Sequence, residues 1–119
     1  MEKRILERSF EFASRIIKLV DNFPKTNAAL VVGKQVVRSG TSIGANVEEA
    51  QAGYTKDDFT YKMSIALKEA RETHYWLRLA SAAGMTKAEL LGDMIQEAEE
   101  IKKILGAIVS TSRKRSKSQ

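Results

Sequence analysis

Apolar residues recur along most of the chain at intervals of three and four, the spacing that keeps side chains on one face of an α-helix. Between residues 32 and 50 these positions are Val32, Val36, Ile43, Val47 and Ala50. No segment alternates with the period of two that a half-buried strand has. The pattern therefore predicts an all-α fold.

Breaks in this pattern divide the chain into amphipathic segments. The only proline, Pro24, disfavours helix at the residue before it, and Gly53 and Gly84 suit helix ends. Short connections make successive helices antiparallel neighbours, so we predict an antiparallel up-down-up-down four-helix bundle. The predicted helices are 3–22, 27–52, 56–83 and 87–111. They form a single domain, 1–112, followed by a basic disordered tail, 113–119.

Three of these helices have the 4-3 spacing of a bundle seam, which predicts the side chains that face the core. In the first helix the seam residues are Leu6, Phe10, Ala13, Ile17 and Val20. In the third helix they are Phe59, Met63, Ala66, Ala70, Thr73 and Leu77. In the fourth helix they are Leu91, Met94, Ala98, Ile101, Leu105 and Ile108.

The second helix carries a polar strip about a quarter-turn from its apolar one. Short hydrogen-bonding side chains suit a place where another helix comes close. Glycine inside a helix costs about 1 kcal/mol relative to alanine, and close backbone approach is the reason we expect for two of them. We therefore expect the strip to be enclosed in a helix junction. The helix-packing or oligomer motif consists of Gln35, Ser39, Gly40, Ser42, Ile43, Gly44, Asn46 and Glu49.

Basic residues are concentrated in the tail and on two helix faces. The tail supplies most of the net charge of +5, so the rest of the chain is nearly neutral. It serves either solubility or phosphate contact, and each basic helix face is either solvated or directed at phosphate. Tyr75 and Trp76 lie beside the second face and either stack on bases or pack at a core edge. The candidate nucleic-acid contacts are Arg4, Arg8, Arg15, Lys18, Lys68, Arg71, Arg78, Arg113, Lys114 and Arg115.

The chain offers little for catalysis. A di-iron bundle site needs Glu-x-x-His on two helices, whereas the one histidine, His74, has Arg71 three residues before it. Glu48 and Glu49 are adjacent, so their side chains point about 100° apart, which is wrong for a carboxylate pair. There is no cysteine, no Gly-rich phosphate loop and no Ser-His-Asp set. We expect no enzyme, no metal and no cofactor, and interpret His74 as a hydrogen-bonded interior or interface residue.

Nothing in the chain predicts a membrane protein. No apolar run approaches the roughly 20 residues that a spanning helix needs, and the N-terminus does not have the pattern of a signal peptide. The absence of cysteine fits a reducing compartment. We expect a cytoplasmic protein with no membrane partner.

Several motifs along the chain match those of one known family. They are R-S-G-T-S-I-G-A-N-V-E-E over 38–49, K-D-D-F over 56–59, S-I-A-L-K-E-A-R-E-T over 64–73 and Y-W-L-R-L over 75–79, with Phe23-Pro24 after the first helix. In these motifs the chain resembles the four-helix bundle proteins encoded in 23S rRNA intervening sequences. Ser42, Ile43, Asn46 and Glu49 fall on the family motif, and alanine replaces the glycine that many members have at position 50.

The resemblance implies a bacterial protein that forms ring-shaped homopentamers. The accessory variability proteins of diversity-generating retroelements are distantly similar, and they bind a reverse transcriptase and nucleic acid. The expected function is that of a non-enzymatic, self-assembling bundle that binds RNA or a ribonucleoprotein weakly through basic strips, with DNA as another possible ligand. The alternative is a protein-interaction scaffold or accessory subunit for a reverse transcriptase or ribosomal component, without direct nucleic-acid binding.

Overall fold

The protein is an elongated bundle of about 52 × 21 × 20 Å. The computed structural model describes residues 2–117, and side chains over 4–115. Each helix packs against the one before it, and the last also packs against the first, which confirms the predicted all-α bundle. The helices are α1, Glu2–Val20; α2, Asn27–Gln51; α3, Lys56–Ala82; and α4, Ala88–Lys117.

Local polar contacts and one glycine set the helix ends. Thr26 Oγ1 accepts a hydrogen bond from Ala29 N at 3.2 Å and caps α2. Thr55 Oγ1 accepts one from Asp58 N at 3.0 Å and caps α3. Gly84 follows α3 with a φ of 66°, a left-handed conformation that glycine adopts without steric cost. The ends of α1, α2 and α3 lie within two residues of the predicted ones.

The core face of α1 differs from the predicted one. Phe10 is 65% exposed and Ile17 is 50% exposed, so the predicted seam of this helix is wrong. Two strips with the same 4-3 spacing lie side by side on α1, and the buried one lies between the neighbours α2 and α4. The other is turned by about 100°, the angle between consecutive helical residues. The buried strip consists of Ile5, Ser9, Phe12, Ile16 and Leu19.

The predicted seams of α3 and α4 are confirmed. All of their members are buried except Phe59, which is half-buried and packs against the core. On α2 the apolar strip is buried from Val36 to Ala50, and Val32 is half-buried at its beginning. The core therefore runs along the axis of the bundle and takes one apolar strip from each helix.

The C-terminal end of α4 also differs from the prediction. The helix continues to Lys117, whereas we predicted a helix end near residue 111 and a disordered tail from 113. Lysine and arginine are good helix formers, and cations near a helix C-terminus interact favourably with the helix dipole. The described part of the predicted tail is therefore helical, and residues 118 and 119 lie outside the described residues.

Candidate functional site

The glycines of the α2 motif lie against α1. A Cβ added to Gly40 would lie 3.0 Å from Ile16 Cγ1, and one added to Gly44 would lie 3.3 Å from the backbone oxygen of Ser9. These distances are shorter than ordinary van der Waals contact, so a side chain here would force its neighbours to shift by a few tenths of an ångström. The predicted close approach is confirmed, with α1 as the partner helix.

Ser39 is the fully buried polar residue of the α2 motif. Its Oγ donates to the backbone oxygen of Gln35 at 2.9 Å and accepts from Thr73 Oγ1 of α3 at 2.9 Å. Because each hydroxyl has a partner, neither is left with the desolvation cost of an unpaired buried group. Ser39 and Thr73 thus form a polar contact inside the α2–α3 interface.

The remaining polar residues of the motif turn gradually towards solvent. Ser42 Oγ donates to the backbone oxygen of Arg38 at 2.6 Å, and Asn46 Nδ2 donates to that of Ser42 at 2.8 Å. Both residues are half-buried, as Gln35 is. Glu49 is exposed, with its Oε2 atom 3.8 Å from Lys62 Nζ. The expectation that the whole strip is enclosed is therefore wrong at this end, because the strip is offset from the core-facing side.

Arg38 connects α2 to α3 outside that strip. Its guanidinium pairs with Glu69 Oε1 at 3.3 Å and with the carboxylate of Glu72, and its Nε donates to Gln35 Oε1 at 2.9 Å. Glu72 also accepts from Trp76 Nε1 at 3.0 Å. Sequence reasoning missed this network. The available signal was a pair of glutamates three residues apart on the side of α3 that faces α2.

The predicted basic strip of α1 lies along α4. Arg8 makes a two-point contact with Glu97, at 2.7 and 2.9 Å, and lies 3.6 Å from Glu100. The hydrogen bond to Glu97 raises the pKa of Arg8. Arg15 and Lys18 line a shallow groove with Asp93 of α4, and Arg4 is exposed. Carboxylates of α4 therefore lie beside this strip.

A second set of predicted cations meets at the outer side of α3 and α4. Arg71 of α3 lines a groove of about 320 Å³ together with Arg113 and Lys114 of α4. The apolar lining includes Leu67 and Gly106, and a Cβ added to Gly106 would meet no atom within 4 Å. We call this the basic groove. Lys68 is exposed close to it on α3, whereas Arg115 lines a different groove, with Phe59.

Further cations adjoin the basic groove along the same two helices. Arg78 Nε donates to His74 Nδ1 at 3.2 Å. Glu99 Oε1 lies 3.4 Å from His74 Nε2 and 2.7 Å from Lys102 Nζ, and Lys103 is close enough to affect it electrostatically. We call the whole surface the basic face. Its cations are Lys68, Arg71, Arg78, Lys102, Lys103, Arg113 and Lys114.

His74 and Glu99 have shifted pKa values in this environment. Burial lowers the pKa of His74, and the nearby charges of Lys102 and Arg78 lower it further. The hydrogen bond from Lys102 lowers the pKa of Glu99. A neutral imidazole and an ionised carboxylate are therefore favoured, and His74 is a half-buried, hydrogen-bonded residue as predicted.

An apolar strip remains on the outside of α1. It consists of the predicted seam residues Leu6, Phe10, Ala13 and Ile17, and we call it the α1 outer strip. Leu6 and Phe10 line a shallow groove whose rim is acidic. The carboxylates of that rim belong to Glu7, Glu11 and Glu48.

The described part of the chain lacks two features that would point to other functional classes. Within it, no three histidine, aspartate or glutamate side chains are grouped as a metal site would need. None of the helices in residues 2–117 combines the length and the apolar character that crossing a membrane requires.

Comparisons with known proteins agree with this fold. A family model described as 23S rRNA-intervening sequence protein matches residues 1–107, from α1 into α4. A solved structure from Bacteroides thetaiotaomicron VPI-5482, described as a protein with unknown function from the S23 ribosomal protein family, is 40% identical with a TM-score of 0.82. The match covers 88% of this chain and 97% of that chain. No curated protein matches the sequence.

Proposed function

Because the chain belongs to the 23S rRNA-intervening sequence protein family, we propose that it is a non-enzymatic bundle that assembles with copies of itself and binds RNA or a ribonucleoprotein weakly. RNA binds along the basic face of α3 and α4. The observation that carries this proposal is the uneven distribution of carboxylates over the bundle. Some arginines have glutamates directly across a helix contact, while the basic face gathers cations from two helices.

The arginines of the other helix contacts are largely neutralised within the protein. Arg8 of α1 has Glu97 and Glu100 within 4 Å, and Arg38 of α2 pairs with Glu69 and Glu72. A phosphate approaching either arginine meets negative charge as well as positive charge. These surfaces are therefore poor sites for nucleic acid.

The basic face gathers cations from two helices. Arg71 and Arg113 converge on one groove that Lys114 also lines, and Lys102 and Lys103 lie farther along α4. Glu99 is the carboxylate that pairs with Lys102 there. A strand of RNA brings a regular series of phosphates and gains affinity by releasing the counterions that surround them. Because Arg71, Arg113 and Lys103 are exposed and salt screens exposed charges, the binding is weak at physiological ionic strength.

The α1 outer strip supports self-assembly. Phe10 and Ile17 are large apolar side chains that remain at least half exposed, about two turns apart on a single face of α1. Its acidic rim, which includes Glu48, repels phosphate and leaves this surface for a protein. A second copy of the chain is the proposed occupant, and a homopentamer is the assembly that the family resemblance implies.

An Arg71→Ala, Arg113→Ala double variant tests the RNA-binding part. Removing two cations from the basic groove lowers the affinity for RNA by roughly tenfold at about 50 mM salt. It also reduces the steepness of the salt dependence, since fewer counterions are released. Gel-shift titrations with structured and single-stranded RNA at two salt concentrations measure both effects.

The matched control is an Arg15→Ala, Lys18→Ala variant, which removes the same charge from the side of α1 next to α4. Its RNA affinity is expected to stay within about twofold of the unaltered protein, apart from the general effect of net charge. An equal loss in both variants contradicts the assignment to the basic face. Failure of the unaltered protein to bind RNA at about 50 mM salt contradicts RNA binding itself.

The second candidate function is a scaffold or accessory subunit that binds a reverse transcriptase or a ribosomal component without touching nucleic acid. The exposed apolar residues of the α1 outer strip favour it, because a foreign protein can cover them as well as a second copy can. The two functions differ in the mass of the native particle. A monomer that becomes part of a larger complex only when such a partner is added supports the scaffold.

A further inference from the structure

Tyr75 lies among the cations of the basic face. It follows Arg71 by one helical turn and precedes Arg78 by another. The residue is 51% exposed, although its ring has two neighbours. Arg78 Cζ lies 5.8 Å from the ring centroid, and the Trp76 ring packs edge-on with centroids 5.4 Å apart and an interplanar angle of 72°. An aromatic surface is thus presented to solvent beside cationic side chains.

The neighbours of Tyr75 hold its ring in place. Trp76 is half-buried at the edge of the core, and its Nε1 donates to Glu72 Oε2 at 3.0 Å. Glu72 in turn pairs with Arg38 of α2. A ring that is supported in this way loses less conformational freedom when a flat ligand stacks on it. Tyr75 is therefore preorganised for stacking.

The other tyrosines differ from Tyr75 in this respect. Tyr54 is 99% exposed in the connection between α2 and α3, and Tyr61 is 64% exposed near the beginning of α3. Within residues 4–115, the aromatic and cation–π contacts both involve Tyr75. Simple exposure of an aromatic side chain therefore does not explain the arrangement at Tyr75.

We propose that Tyr75 stacks on an unpaired base while Arg71 and the basic groove hold the adjoining phosphates, so that the protein prefers single-stranded to double-stranded RNA. This inference rests on the proposed RNA binding and specifies the class of RNA that the basic face takes. In a duplex each base is already stacked and paired, and its flat surface is not available to a side chain. In a single strand the bases are free to stack on aromatic rings.

Fluorescence anisotropy with two probes tests this preference. One probe is a single-stranded RNA of about twelve nucleotides, and the other is the duplex of the same sequence. Tyr75→Ala is expected to weaken single-strand binding about tenfold and to leave duplex binding within about twofold. Tyr75→Phe retains the ring and is expected to bind as the unaltered protein does, and Tyr54→Ala serves as the control for loss of an exposed tyrosine.

The fluorescence of the protein gives a second readout. Trp76 is the only tryptophan in the chain and touches the Tyr75 ring, so its emission is expected to change when the single strand stacks and not when the duplex binds. Equal losses of both probes in Tyr75→Ala, or no loss of either, overturn the stacking role. A change in native mass in that variant overturns it too and makes Tyr75 an assembly contact. If the unaltered protein binds neither probe, the proposed RNA binding itself fails.

Discussion

The buried hydroxyls of Ser39 and Thr73 fix how α2 lies on α3. An apolar helix contact tolerates small shifts along its length, whereas this pair is satisfied at one alignment, where the two oxygens are 2.9 Å apart. Sliding by one residue would break this hydrogen bond, a loss of about 0.5–1.5 kcal/mol, although each hydroxyl would keep a backbone carbonyl partner on its own helix. The pair therefore favours one alignment of α2 along α3.

Some helical glycines lie against a neighbouring helix and others have free space beside them. One glycine of each kind gives a matched pair of variants. A Cβ at Gly44 would press on the backbone of Ser9, so Gly44→Ala is expected to lower the free energy of unfolding by about 1–3 kcal/mol. A Cβ at Gly92 would meet no atom within 4 Å. Gly92→Ala is therefore expected to raise the free energy of unfolding by up to about 1 kcal/mol, because alanine has the higher helix propensity.

Urea denaturation of the two glycine variants beside the unaltered protein measures both changes. Stabilisation by Gly44→Ala would contradict the close approach of α1 and α2. The sequence predicted that approach from two glycines one turn apart. It did not predict that α1 is the partner. A glycine has no side chain and so allows close packing, but it does not indicate which helix packs against it.

His74 makes stability depend on pH. Burial, with Lys102 and Arg78, lowers its pKa below the ordinary value of 6.5, and Glu99 opposes them more weakly. The unfolded chain keeps the ordinary pKa, so it takes up a proton at higher pH than the folded protein does. His74 therefore destabilises the fold increasingly as the pH falls below about 6.5.

A His74→Gln variant removes this titration and provides the comparison. The difference in free energy of unfolding between the unaltered protein and the variant is expected to shift against the unaltered protein between about pH 7 and pH 5. The titration of Glu99 does not contribute between about pH 7 and pH 5, because its pKa is lowered and the carboxylate remains ionised there. A difference that stays constant over the range would show that the pKa of His74 is the same in the folded and unfolded states.

At the level of helices, the sequence predicted where each one begins better than which side it buries. Caps such as Thr26 and Thr55, and the stop at Gly84, act locally, so they can be recognised in the sequence. The choice between the two apolar strips of α1 depends on where α2 and α4 lie. Phe10 and Phe12 both fit a seam, and only Phe12 is buried.

The sequence also could not show which charged strip faces carboxylates of a neighbouring helix. Arg8 and Arg71 each belong to a basic strip at helical spacing, and the sequence ranked neither above the other. Arg8 has Glu97 opposite it, while Arg71 meets Arg113 and Lys114. Such partners are distant in sequence, so a periodicity within one helix cannot predict them. The predicted helix end near residue 111 was wrong because lysine and arginine after residue 112 are good helix formers as well as charged residues.

For the whole molecule, the two proposed functions use different parts of the surface. The basic face lies on α3 and α4, and the α1 outer strip lies on the first helix with a rim that includes Glu48 of α2. If copies associate through α1, the basic face of each copy remains accessible. Assembly then places several weak RNA sites on one particle, which raises the overall affinity through effective concentration.

A double substitution on the α1 outer strip tests this assembly. Phe10→Lys with Ile17→Lys introduces charges where we propose that a second copy packs, and it is expected to reduce the native mass to that of the single chain. The substituted side chains are at least half exposed, so the fold and its circular dichroism spectrum are expected to persist. Light scattering at matched protein concentration measures the mass.

The control for the assembly test changes two equally exposed apolar residues elsewhere, Val31→Lys with Tyr61→Lys. Its native mass is expected to equal that of the unaltered protein. Loss of assembly in the control but not in the α1 variant would move the interface to α2 and α3. A single chain in the unaltered protein at all concentrations would remove self-association altogether.

The helices are unequal in length, and this has a consequence for local opening of the fold. α1 has 19 residues and α4 has 30, about 28 Å against 45 Å. Only a few residues of α1 precede Arg8, which lies opposite Glu97 and Glu100, so α1 covers α4 no further than about residue 106. Beyond residue 106, α3 is the helix against which α4 packs. We therefore expect this end of α4, which forms one wall of the basic groove, to open at a lower free energy than the helix segments that pack between two neighbours.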